Sequence, residues 1–449
     1  MKFWQTYRYD FNANLKLAWP IILGQLGQVS VNIIDNLMVG QLGATALAAV
    51  SLGVSVFVVF FVVGMGLSMA LQPLVAEADG RGDAQGCSYS FKHSFVINTL
   101  FSLLSILIIE CTFHLVFNLG QDPEVAALSI PYMRLCVYSL LPMLFYQSLR
   151  GLCEGLSSST PPMIAMLIGN AVNIILNYMF IFGNWGAPAL GVTGAAIGTL
   201  VSRIVMFAVL LILMRYWTSK AELSLWSYLQ RVNPKTYSKR FFRKVLRLGV
   251  PSSLQMFFEV GAFAGAAIMM GMIGAKEMAA HQITINAITT TFMICVGLAV
   301  AATVRVGNAL GRKDKLAMRR AGQVTLMQVL LFMSCSALII AALRFVIPTW
   351  YIDDPEVISI AATLFLISAI FQLSDGVQVA AIGALRGLQD IWWPTGITFF
   401  AYIIIGMPFS YLSAFVWDLG YIGIWVGLLL GLSLSAVLNT LRFFRLTRV

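Results

Sequence analysis

Hydrophobic and polar positions alternate along this chain in long blocks, not in the short periods of a water-soluble protein. Apolar stretches of about 20 residues, the length that crosses a hydrocarbon core, recur twelve times: near 15–39, 46–72, 92–116, 128–148, 161–182, 191–215, 246–270, 280–304, 320–347, 358–382, 394–416 and 420–440. The pattern predicts an all-α integral membrane protein with twelve transmembrane helices.

The pattern also repeats. Sliding residues 20–83 onto 251–314 without a gap places Pro20 on Pro251, Gly40 on Gly271, Gly43 on Gly274, Gly66 on Gly297, Gly80-Arg81 on Gly311-Arg312 and Asp83 on Asp314. Further along, Asp122-Pro123-Glu124-Val125 recurs as Asp354-Pro355-Glu356-Val357, and Leu149-Arg150-Gly151-Leu152 as Leu385-Arg386-Gly387-Leu388. A duplicated half is the usual build of a secondary transporter. The division predicted is an N-terminal six-helix bundle over 1–215, a linker over 216–245 and a C-terminal six-helix bundle over 246–449. Six spans per half is an even number, so both halves start on the same side and the pseudo-symmetry axis runs along the membrane normal.

Composition and charge agree with the pattern. With 59% hydrophobic and 11% charged residues, the chain cannot expose an ordinary aqueous surface. The net charge of +10 is dealt out to alternate loops, with Arg215, Lys220, Arg231, Lys235, Lys239, Arg240, Arg243, Lys244 and Arg247 in and around the linker. By the positive-inside tendency the linker and both termini are expected in the cytoplasm. A nucleic-acid partner would need these basic residues gathered on one soluble face, and none is expected. The first span lacks a compact cleavable signal before it and is expected to be retained. The six cysteines show no paired spacing, so neither a disulfide framework nor a metal-binding cluster is indicated. Leu223, Leu225, Trp226, Tyr228 and Leu229 fit one side of a helix at the membrane surface, and a flexible tether is the alternative for the same linker.

Chemistry is sought where a charge stands in the wrong solvent, because an ionisable group at the bilayer centre costs several kcal/mol. Asp35 lies late in the first span, Glu259 in the middle of the seventh and Asp375 in the tenth. None has a basic residue within one turn on its own helix, and no basic residue is expected to oppose them inside the spans. In the repeat Asp35 aligns with Ala266, Glu259 with Gln28 and Asp375 with Ser139, so the scaffold itself does not require the acids. Asn170, Asn173 and Asn177 share one helix face; they either complete an oxygen-rich sodium or proton site with Asp35 or act as helix-to-helix glue. Gln282 and Asn286 form a similar pair in the eighth span, with His281 beside them read as interfacial. Met256, Phe257 and Phe258 flank Glu259 with the adaptable surface that varied flat cations favour, although such a stripe is ordinarily core. Gly194-x-x-x-Gly198, Gly383-x-x-x-Gly387, Gly423-x-x-x-Gly427 and Gly431 are packing signals.

The run AAHQITINAITTTFMICVGLAVAATVRVGNALGR over 279–312, the preceding LRLGVPSSLQMFFEVGAF and the early IIDNLMVGQLGATALAAVSLG resemble the multidrug and toxic compound extrusion (MATE) family, in its bacterial NorM-like branch. The resemblance covers essentially the whole chain. It implies two six-helix bundles arranged as a V in the inner membrane, and export of cationic, often aromatic compounds driven by inward Na+ or H+. It also implies cation-coupling roles for Asp35, Glu259, Asp375, Asn173 and Asn177, and a polar substrate cavity with Gln282, Asn286, Met256, Phe257 and Thr199. Sodium is then expected either at Asp35, Asn173 and Asn177 or at Glu259 and Asp375, with no other cofactor, and the chain is expected to act as a monomer. A flippase for lipid-linked or amphipathic substrates is the alternative within the same superfamily; it needs buried Arg or Lys for a pyrophosphate. An enzyme is not expected, since HExxH, GxSxG and P-loop motifs are absent.

Overall fold

The computed structural model describes residues 2–119, 122–217, 224–230 and 237–448. All regular elements among them are helices, and twelve are long and apolar enough to cross a membrane: α1 Tyr7–Gly40, α2 Ala44–Gly80, α3 Ala84–Phe117, α4 Pro123–Gly155, α5 Thr160–Phe182, α6 Val192–Tyr216, α7 Lys239–Ile273, α8 Ala275–Gly311, α9 Lys315–Ala342, α10 Pro355–Gly387, α11 Trp392–Val416 and α12 Gly420–Leu446. The protein is thus a multi-pass membrane protein with six spans in each repeat. Several helices outrun their apolar cores, and they start where the sequence supplies a cap. Asp83 Oδ1 accepts from the Gly86 N–H at 2.7 Å, and its repeat mate Asp314 accepts from the Ala317 N–H at 2.9 Å. The turn before each cap passes through the left-handed region, at Gly82 with φ 72° and at Lys313 with φ 60°. The repeated Asp-Pro-Glu-Val is likewise a helix start: Asp122 and Asp354 cap Glu124 and Glu356, with proline in the first turn.

The chain forms two compact units, one of residues 23–253 and one of 1–22 with 254–449. The boundaries fall inside α1 and α7, at positions separated by the same 231 residues as Pro20 and Pro251. The repeated glycines explain why. In the first unit a methyl on Gly66 of α2 would lie 2.3 Å from Ser253 Cα, so the start of α7 packs backbone-close on α2. In the second, a methyl on Gly297 of α8 would lie 2.4 Å from Ile22 Cγ1, so the start of α1 packs on α8 in the equivalent way. Polar contacts lock both ends. Lys244 Nζ donates to Glu77 at 2.8 Å in the first unit; in the second, Asn14 Nδ2 donates to Gln328 Oε1 at 2.5 Å and Arg305 pairs with Asp10.

The linker contains a short helix, Leu225–Gln230, whose Leu225 and Tyr228 enter the core of the first unit beside Leu71, Val75 and Met214. Those two side chains face protein, not lipid, which corrects the membrane-surface reading for them. Leu223, Lys220, Arg231 and Lys235 lie outside the described residues. Tyr237, Phe241 and Phe242 at the start of α7 surround His93, whose Nε2 accepts from the Ser238 N–H at 3.0 Å.

Span α11 departs from α-geometry. Its backbone runs as a π-helix over Phe399–Gly406 and again over Leu412–Val416. The glycine face of α12 receives it: Ser410 Oγ donates to the Ile424 carbonyl at 3.0 Å and Ser413 Oγ to the Gly423 carbonyl at 2.8 Å. A methyl on Gly431 would lie 2.8 Å from the Ala401 carbonyl oxygen, so the glycine face lets the two helices approach backbone-close.

Candidate functional site

The predicted acids fall into two clusters, one in each unit. In the first unit, the last two turns of α1 carry Asp35, and Asn177 Nδ2 of α5 donates to Asp35 Oδ1 at 2.6 Å. Asn173, one turn back, accepts from Asn177 Nδ2 at 3.3 Å. The two helices run parallel, as odd-numbered spans must, so Asn170 falls further down at Gly27, where a methyl would lie 3.0 Å from Asn170 Nδ2. Asn170 therefore shares the face but not the cluster. Asn177 Oδ1 is buried without a hydrogen-bond partner and sits against Gly198 of α6. Thr199 donates to the Ala195 carbonyl of its own helix, not to Asp35.

A residue outside the expected set completes this cluster. Arg203, midway along α6, reaches within electrostatic range of Asp35, Tyr132 and Cys136. Its Nη1 donates to Ser139 Oγ at 2.5 Å and its Cζ stands 5.0 Å from the centre of the Phe57 ring. The expectation that no basic residue opposes the acids inside the spans is thereby corrected. Arg150 and Arg386 are two further cases: Arg150 pairs with Glu154 at 2.7 Å in α4, and Arg386 of α10 lies in electrostatic range of Glu259. A guanidinium tolerates these interiors because a carboxylate of the same half shares them.

In the second unit, Glu259 of α7 and Asp375 of α10 lie within electrostatic range of each other, and Tyr402 of α11 within range of both. Asp375 is buried, with 7% of its surface exposed, and Glu259 is half-buried. Among the described residues neither carboxylate receives a hydrogen bond or an ion pair. Their surroundings hold unspent polar atoms one turn away: Gln255 Oε1 beside Glu259 and Gln372 Nε2 beside Asp375 are both buried without partners, as is Arg386 Nε. Gln372 Oε1 accepts from Thr291 Oγ1 at 2.9 Å and Ser336 Oγ at 2.8 Å, while Gln378 Oε1 accepts from the Tyr402 hydroxyl at 2.9 Å. Two carboxylates and one guanidinium sum to minus one, a deficit that a single monovalent cation satisfies.

The remaining sequence candidates make no hydrogen bond to the acids among the described residues. Gln282 Nε2 donates to Asn286 Oδ1 at 3.2 Å on an exposed face of α8. Met256 is half-buried and Phe257 about half exposed; Phe258 is the one that packs inward, 5.0 Å from Phe399 of the π-helical turn. His281 is buried, edge-on to Trp425 at 5.6 Å, and so belongs to the core and not to the membrane interface. Among the described residues no group of three or more His, Cys, Asp or Glu side chains is arranged to hold a metal ion.

Comparison with known proteins agrees with this architecture. The sequence profile of the MatE family matches twice, over residues 20–179 and 251–412, starting at the two repeat-related prolines. The chain is 34% identical to the multidrug resistance protein NorM of Aliivibrio fischeri, over 98% of this chain and 96% of that protein. It is 33% identical to the multidrug resistance protein MdtK of Edwardsiella ictaluri, over 99% and 97%. Among solved structures it resembles a MOP superfamily transporter from Pyrococcus furiosus (TM-score 0.87, 21% identity, 98% and 96% covered) and a MATE family transporter in its outward-facing conformation (TM-score 0.87, 20% identity, 98% and 96% covered). The chain belongs to the MatE family of multidrug and toxic compound extrusion transporters, in its NorM-like branch.

Proposed function

We propose that this protein is an antiporter of a bacterial inner membrane that exports organic cations, often aromatic, in exchange for inward Na+ or H+. The observation that carries the reading is the pair Glu259 and Asp375, two carboxylates of one unit that lie within electrostatic range of each other and receive no hydrogen bond among the described residues, with Arg386 in range of Glu259. Coulomb attraction in a low-dielectric interior favours a cation there, whether a proton, a sodium ion or a cationic substrate. Binding of the coupling ion removes the charge that a cationic substrate needs, and linkage requires the substrate to weaken ion binding by the same factor. Asp35, held by Asn177, which also donates to Asn173, is the polar centre of the other half and is needed for transport.

The relatives' names support export of drugs, being multidrug resistance proteins. The flippase alternative is disfavoured because the guanidiniums nearest the acids share their surroundings with a carboxylate of their own half: Arg150 with Glu154, Arg203 with Asp35 and Arg386 with Glu259. The basic linker and termini support a cytoplasmic placement for all three. The test is efflux of an ethidium-like cation from everted vesicles under an imposed Na+ gradient or pH gradient, each alone. At least one gradient is expected to drive transport; efflux indifferent to both contradicts the coupling.

A further inference from the structure

The two halves carry opposite charges at one and the same repeat locus. By the Leu149-Arg150-Gly151 and Leu385-Arg386-Gly387 register, Ser139 is the counterpart of Asp375. The segment Leu190-Gly191-x-x-Gly194-x-x-x-Gly198 matches Leu419-Gly420-x-x-Gly423-x-x-x-Gly427 without a gap, which makes Leu432 the counterpart of Arg203. In the second unit, then, an acid on α10 is matched with a buried aliphatic on α12. In the first, a serine on α4 accepts the hydrogen bond of an arginine on α6. The exchange is complete at both positions: acid and leucine in one half, serine and arginine in the other.

From this juxtaposition we propose that Arg203 is a tethered countercharge for Asp35, a cation built into the chain where the other half recruits one from solution. The geometry that holds it is specific. Ser139 fixes one guanidinium nitrogen, and the Phe57 ring stands 5.0 Å from Cζ, so the charge is positioned and not free to snorkel away. Arg203 lies one turn below Thr199 and Gly198, on the helix against which Asn177 packs, and it acts on the carboxylate that Asn177 holds. Asp35 and Arg203 sum to zero, whereas Glu259, Asp375 and Arg386 sum to minus one. The Asp35 cluster is consequently neutral throughout the cycle, and the exchangeable cation is taken only by the cluster of the C-terminal half. Arg203 is a positioning and specificity-determining residue in this account, acting through Asp35.

The inference rests on the coupling reading above, and one experiment separates the two. Cation binding to the purified full-length protein is counted as retained radioactive sodium and as proton uptake from weakly buffered solution. Asp375→Asn is expected to bind one cation fewer than wild type, which tests the coupling reading by itself. Asp35→Asn is expected to lose none, because the carboxylate it removes is served by Arg203. Arg203→Met is expected to gain one, Arg203→Lys to match wild type, and the double variant Asp35→Asn with Arg203→Met to return to the wild-type number, a rescue that a merely structural role would not produce. A cation lost in Asp35→Asn, or none gained in folded Arg203→Met, overturns the inference. Should Arg203→Met alone not fold, Asp35→Asn and the double variant decide it. Asp375→Asn without loss defeats the coupling reading and leaves the tethered charge standing.

Discussion

Asn177 shows how little freedom a residue has at the N-terminal acid. Its amide nitrogen is committed to Asp35, and its oxygen presses on the Cα of Gly198, where an added methyl would stand 2.3 Å away. Gly198→Ala is therefore expected to destabilise by about 1–3 kcal/mol, the range for overpacking, and to displace Asn177 from Asp35. A lowered melting temperature together with reduced efflux checks it. Gly261→Ala is the matched control: the added methyl meets open space on α7, so the melting temperature should hold or rise through helix propensity. At this scale the acids and the asparagine stripe were legible in sequence, because a carboxylate in an apolar run and a spacing of three and four are local facts. Arg203 carries no such local mark, although comparing the two LGxxGxxxG segments shows an arginine where the other has Leu432. Its partners Asp35 and Ser139 lie far away in sequence, and only tertiary packing brings them within range.

Helix identity and number could be read from the apolar runs, since hydrocarbon thickness fixes their length. Ends and internal breaks could not. The span read as 46–72 continues to Gly80, and the one read as 320–347 stops at Ala342. Composition reports how much helix lipid covers, whereas caps decide where a helix starts. The π-helical turns of α11 leave no mark in FFAYIIIG, which is as apolar and β-branched as an ordinary span. They arise from packing on a helix whose glycines admit backbone contact. In Gly427→Val the Cβ would stand 2.1 Å from Ser410 Oγ and 2.5 Å from the Ser410 nitrogen. The substitution is expected to push α11 off α12 at a cost of about 1–3 kcal/mol or more. Because Tyr402 rides on the π-helical turn beside Glu259 and Asp375, efflux should fall further than Gly198→Ala makes it fall. Thermal denaturation in detergent and efflux assays on the same samples check both parts.

For the molecule as a whole, the duplication was the clearest message of the sequence, and both compact units obey it down to equivalent close approaches at Gly66 and Gly297. The division within α1 and α7 was not legible, because nothing in an apolar run says which neighbours each of its ends will choose. The charge pattern predicts the side of every loop: a single cysteine replacing Trp226 should react with impermeant reagents only from the cytoplasm, and one replacing Asp353 only from outside, and labelling of both from one side contradicts the orientation. The surplus of buried acid predicts export of cationic dyes well above anionic ones of similar size, read in the same vesicles. The most direct test of coupling at Glu259 and Asp375 is gradient-driven efflux of an ethidium-like cation by Glu259→Gln and Asp375→Asn in reconstituted vesicles. Neutral isosteres relieve the cost of a buried charge, so both variants should insert and fold, and each should lose ion-driven efflux by at least tenfold. Wild-type efflux in both, with unchanged dependence on the Na+ and pH gradients, would contradict the account and make these acids structural.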